Sequence, residues 1–153
     1  MKHSLYVLIL LFVVIQIQVR AQDEYKALLE SKRYTFEAES MTPQRGGMRQ
    51  LTPGYAIKVT GDTVVVDLPY IGRAYNASYN TDDAGMTFTS RDFEHAIAEK
   101  KKGGWRVTIR PKDVRSSPRI NLDVSKTGRT TVNITSADKA AISYYGNTVK
   151  PKK

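Results

Sequence analysis

From Tyr34 to Tyr145, apolar and polar residues alternate with period two in one short run after another. Tyr34, Phe36 and Ala38 alternate with Thr35, Glu37 and Glu39, and Tyr55, Ile57 and Val59 with Ala56, Lys58 and Thr60. Val64, Val66 and Leu68 fall on one side of the run Thr63 to Leu68. The pattern returns in Gly85 to Ser90, Phe93 to Ile97, Trp105 to Ile109, Ile120 to Val124, Thr130 to Ile134 and Ala140 to Tyr145. Successive side chains of a strand point to opposite faces, so each run reads as a strand with one buried and one wet face. Short breakers separate several of them: Gly61-Asp62, with glycine where a type II′ hairpin needs it, Lys102-Gly103-Gly104, Lys126-Thr127-Gly128 and Ser136-Ala137-Asp138. Met41 to Pro53, Pro69 to Ala84 and Pro111 to Pro118 read as longer loops.

Ahead of the strands, Asp23 to Lys32 has acidic residues first, a lysine last and a short apolar face at Ala27, Leu28 and Leu29. Those charges suit the two ends of a helix dipole, and a helix of two to three turns is expected. The fold class is all-β: an antiparallel meander of about eight to nine strands, closing as a lipocalin-like barrel, with a two-sheet β-sandwich as the alternative. The short N-terminal helix caps one end.

The first residues belong to a different pattern. Met1-Lys2-His3 is basic, Leu5 to Ile15 is wholly apolar, and Val19-Arg20-Ala21 places small or branched residues where a signal peptidase reads them. A spanning helix needs about 20 apolar residues, and Gln16 and Arg20 interrupt this one too soon. The expectation is a signal peptide over 1–21, a helix over 22–33, one β domain over 34–146 and a flexible basic tail over 147–153. The mature protein is then periplasmic or secreted, with no transmembrane segment. At 132 of the 153 residues it is long enough to bury a core of its own.

Composition narrows the chemistry. There is no cysteine, which rules out a lipoprotein anchor, a thiolate metal site and a cysteine nucleophile. Cleavage leaves His95 as the one histidine, so a Ser-His-Asp or histidine-zinc centre would hang on it. His95 lies between Phe93 and Ile97 on the apolar face and is expected to line or satisfy the core. The chain carries +9, and loss of Lys2 and Arg20 leaves +7. For an exported protein the anionic partners are envelope lipid or glycan rather than nucleic acid.

Two constellations stand out. The first is an aromatic and cationic loop, Tyr70, Arg73, Tyr75 and Tyr79, read as ligand-binding: rings to stack and one guanidinium to pair an anion. The second is a basic hairpin, Lys100, Lys101, Lys102, Arg106 and Arg110, read as an anion-binding patch. A charged edge that blocks sheet-to-sheet aggregation is the plainer explanation of the second. Asn80, Asp82 and Asp83 lack the spacing of a calcium loop, and Glu37 with Glu39 form a carboxylate pair on a wet face. No catalytic residue, metal site or cofactor is assigned. Asp62-Thr63-Val64 matches a short Asp-Thr-apolar O-glycosylation acceptor.

The chain also resembles an uncharacterised secreted all-β domain family of Bacteroidota, a domain of unknown function. The residues that carry the resemblance are Tyr34-Thr35-Phe36, the block Val66-Asp67-Leu68-Pro69-Tyr70-Ile71-Gly72-Arg73-Ala74, Phe88, Gly103-Gly104-Trp105 and Ile142-Ser143-Tyr144-Tyr145-Gly146. The resemblance implies an exported β domain and brings no activity with it. The expected function is a non-enzymatic binding protein holding a small apolar or amphipathic molecule in the barrel. The alternative is an envelope protein that binds lipopolysaccharide or acidic glycan through the basic hairpin.

Overall fold

The computed structural model describes residues 24–72 and 85–151. The expected signal peptide, ending at Ala21, lies outside these residues. A helix, α1, spans 24–30. The strands are β1 (Arg33–Pro43), β2 (Arg49–Gln50), β3 (Ala56–Thr60), β4 (Thr63–Pro69), β5 (Gly85–Ser90), β6 (Phe93–Glu99), β7 (Trp105–Pro111), β8 (Arg119–Val124), β9 (Arg129–Thr135) and β10 (Ile142–Val149).

Hydrogen-bonded neighbours run in the order β5, β4, β3, β1, β10, β9, β8, β7, β6, with β2 attached to β1, and every pair is antiparallel. The chain is all-β and forms a nearly closed antiparallel barrel. Strand count explains why closure stops short. Alternating directions outward from β1 along both arms leaves β5 and β6 running the same way. A parallel pair needs a crossover of roughly a dozen residues or more, and only Arg91 and Asp92 separate Ser90 from Phe93. β5 and β6 therefore behave as one bent strand, the first half paired to β4 and the second to β7.

Asp113, in the β7–β8 loop, clamps the bend. Its carboxylate accepts from Ser90 Oγ at 2.5 Å and from the backbone N–H groups of Arg91 and Asp92 at 2.8 and 3.2 Å. These bonds, the one from Ser90 first, hold its pKa below the usual carboxylate range.

The inward side chains fill the barrel. One buried cluster runs from Leu29 of α1 through Tyr34, Ile57, Val66, Trp105, Leu122 and Ile134, with Phe93 and Ile97 of β6 packed on its margin. Alternation along β1 breaks at a bulge: Ala38 pairs with Gly146 and Ser40 with Tyr145, leaving Glu39 as the extra residue. The bulge moves the inward set from Tyr34, Phe36 and Ala38 to Met41 and Pro43, which is why a strand continues into a segment whose pattern reads as loop.

The 147–153 tail is also corrected at its start. β10 continues to Val149, and fully buried Thr148 places its hydroxyl 2.7 Å from that of Thr130. A buried hydroxyl pair satisfies itself, so threonine suits these inward positions.

Candidate functional site

The bulge in β1 builds a cleft. With Glu39 displaced, the Ala38 N–H donates to Tyr55 O and the Leu51 N–H donates to Glu39 O, both at 2.9 Å. These bonds hold 51–55 as a flap beside β1. Between flap and sheet lies a groove of about 790 Å³, within the range of small-molecule sites. Leu51, Pro53 and Tyr55 form its apolar wall, while Glu37, Glu39 and Lys58 bring charge to it from β1 and β3.

Glu39 and Lys150 are held by neighbours. Glu39 accepts from Asn147 Nδ2 at 2.6 Å and from Arg129 Nη1 at 3.5 Å. Lys150, at the far end of the groove, pairs with Glu24 of α1 at 2.5 Å, and that hydrogen bond raises its pKa above the ordinary lysine value. The groove is thus lined by β1, β3, the 51–55 flap and the residues just after β10, and it combines an apolar wall with charged side chains.

The sequence-predicted sites fare differently. Tyr70 is described, and Arg73, Tyr75 and Tyr79 lie outside the described residues, as do Asn80, Asp82 and Asp83. The Tyr70 hydroxyl donates to Ala140 O at 3.1 Å, and Lys139 Nζ stands 5.4 Å from its ring centroid. Tyr144 donates to Pro69 O at 2.9 Å nearby. Tyr70 and Tyr144 accordingly pin the end of β4 to β10 and its preceding loop. In the basic hairpin, Lys100, Lys101, Lys102, Arg106 and Arg110 are all exposed. Arg106 is bidentate on Asp123, Nε to Oδ1 at 2.8 Å and Nη2 to Oδ2 at 2.9 Å, and Lys100 reaches the same carboxylate at 3.5 Å. Arg110 sits opposite Glu94 in the ladder, and Lys112 pairs with Glu94 at 3.2 Å. Carboxylates stand inside the patch and break up its field. Among the described residues, no group of three or more histidine, aspartate or glutamate side chains is placed to hold a metal ion. No helix among them is long and apolar enough to cross a membrane.

His95 faces inward, with Nε2 3.0 Å from the Tyr34 hydroxyl. Burial, then the Lys32 charge, lowers its pKa below the usual histidine value. Burial also pushes the Tyr34 hydroxyl up, so it stays protonated across the working range. A histidine whose pKa is lower folded than unfolded contributes stability above its unfolded pKa of about 6.5, and that stability falls as pH drops from there toward the folded value. Acidification from pH 7.5 to 5 is therefore expected to lower the Tm of the native chain more than that of His95→Gln. Equal losses would remove His95 as the group responsible.

Sequence pattern alone did not point to Leu51, Tyr55, Lys58 and Lys150 as lining one cleft. The signal was present only as the glycine- and proline-rich stretch before Tyr55, because a one-residue bulge leaves no fixed mark in a single sequence.

Comparison with known proteins agrees with the topology. A crystal structure of a DUF4251 family protein from Bacteroides eggerthii DSM 20697 superposes with a TM-score of 0.62 over 85% of this chain and 87% of that one, at 16% identity. At that identity the likeness speaks for the fold alone. No curated protein matches the chain. Residues 17–148 match the family described as "Domain of unknown function (DUF4251)", and with nearly the whole chain covered, this protein belongs to that family.

Proposed function

We propose that the chain is an exported, non-enzymatic binding protein that takes a small amphipathic ligand in the groove beside β1 and β3, with the barrel as a filled scaffold. The observation that carries this reading is the groove itself. It sets an apolar wall, Leu51, Pro53 and Tyr55, against the charged side chains of Glu37, Glu39 and Lys58, and an amphipathic molecule matches both sides at once. The barrel interior is the weaker place for a ligand, because inward residues such as Phe36, Val107 and Leu122 are fully buried against one another. Anion binding by the hairpin is weaker too, since Asp123 already engages Lys100 and Arg106.

The test is extraction. Protein purified from its native envelope, denatured in organic solvent, should release a stoichiometric amphipathic compound detectable by mass spectrometry. Leu51→Asp puts a carboxylate into the half-buried apolar wall and should lose that compound while keeping its circular dichroism. Equal recovery from both proteins would overturn the placement in this groove.

A further inference from the structure

We propose that two copies of this chain associate by antiparallel pairing of their β6 strands about a two-fold axis at Ala96, joining the two sheets edge to edge. Among the described residues β6 ends the sheet: β7 lies on one side and no strand on the other. The pairing with β7 is continuous over all seven residues, so no bulge turns the free edge away. Natural edges of this length are blunted by charged side chains, proline, bulges or a covering element. Phe93-Glu94-His95-Ala96-Ile97-Ala98-Glu99 contains no lysine, proline or bulge; its charges are Glu94 and Glu99, the latter held by Lys26 of α1 at 3.1 Å, and its outward positions Ala96 and Ala98 are exposed.

Backbone polarity fixes which groups the edge offers. Lys112 N–H bonds to Asp92 O at 2.7 Å and Lys100 N–H to Gly104 O at 3.0 Å, so the even-numbered residues of β6 face β7. Alternation in an antiparallel ladder then turns the N–H and C=O groups of Phe93, His95, Ile97 and Glu99 to the free edge. Pairing centred on Ala96 sets His95 opposite Ile97 and Phe93 opposite Glu99 of the second copy, each a hydrogen-bonded pair. All seven residues overlap, which no other antiparallel register of this strand with itself achieves.

The side chains agree with that register. Ala96 meets its own equivalent at a non-hydrogen-bonded position, where side chains are closest and a methyl group fits. Glu94 lies opposite Ala98 and diagonal to Lys100 of the second copy, and Asp92 lies directly opposite that lysine. Each end of the paired strands thus sets Asp92 and Glu94 beside Lys100, a cation they share with Asp123 at 3.5 Å, and no two carboxylates face each other. On the inner face, Phe93, His95 and Ile97 are only half-buried, unlike the inward residues of β7 to β10. A second β6 would cover this strip, and a two-fold contact of this kind closes on itself rather than growing into a fibre.

The protein has no cysteine, which makes the register directly testable. Opposed residues at a non-hydrogen-bonded site have Cα atoms about 4.5 Å apart, inside disulfide range. Mild oxidation of Ala96→Cys should give a disulfide-linked dimer in high yield. Ala98→Cys should give no disulfide-linked dimer, because its equivalents would be offset by four residues, roughly 13 Å along the strands. Sedimentation should show the native chain as a dimer and Ala96→Arg, which puts like charges on the axis at an exposed site, as a folded monomer. A monomeric native chain at all soluble concentrations, or equal cross-linking of the two cysteine variants, would overturn the proposal.

Discussion

Gly146→Ala is expected to destabilise the protein by about 3 kcal/mol, the upper end of typical overpacking losses. Gly146 lies in β10 opposite Ala38, at the bulge of β1. A Cβ built there would overlap the Glu37 carbonyl oxygen, with the Ala38 Cα 3.1 Å away behind it. Backbone atoms on a neighbouring strand cannot rotate aside as a side chain does, so β1 and β10 must separate locally. This is the junction on which both arms of the sheet hang. Urea titration measures the effect as a fall in midpoint with unchanged slope. Gly47→Ala is the matched control: nothing lies within 4 Å of its Cβ position, and the change should stay within about 0.5 kcal/mol. Equal midpoints for the two variants would show that the strands are not packed as closely as described.

Phe36→Ala should cost about 3–5 kcal/mol, the loss found when a large buried side chain is cut back in a core that cannot collapse. Phe36 is fully buried on β1, paired to Ile57 on one side and Thr148 on the other. Its ring belongs to a cluster fed by β1, β3, β4, β5 and β7 to β10, so neighbouring backbones are held from several directions and relax little. A marginal domain has roughly 5–15 kcal/mol in total, and this single change removes a large share of it. A loss near 1 kcal/mol would mean the interior has room to repack, which is the property a ligand-carrying barrel would need and a filled one lacks.

Much of the architecture could be read from the chain because alternation is a direct consequence of strand geometry. Val64, Val66 and Leu68, or Ile120, Leu122 and Val124, appear inward as the two-residue period requires. The Gly61-Asp62 turn follows from one positive φ, 69° at Gly61. What period two cannot carry is anything that breaks it. The extra residue at Glu39 reverses the faces of β1, and the strand beyond it looks like a loop in the sequence. The bend at Arg91 and Asp92 depends on Asp113, some twenty residues away, so no local pattern marks it. The candidate site suffers for the same reason: the groove is a product of the bulge. The basic hairpin was legible as a cluster of lysines and arginines. Its partial neutralisation was not, because Asp123 reaches Arg106 only across the β7–β8 ladder.

The proposed ligand site lies outside a filled barrel, against the flap at 51–55. The most direct measurement is a nitrogen-15 correlation spectrum of the labelled protein, titrated with the compound released from native material. Binding in the groove should shift only the amides of Glu37, Glu39, Leu51, Tyr55 and Lys58 and their sequence neighbours. Shifts centred on Trp105, Val107 and Leu122 inside the barrel, or on Lys101 and Lys102 at the hairpin tip, would contradict it.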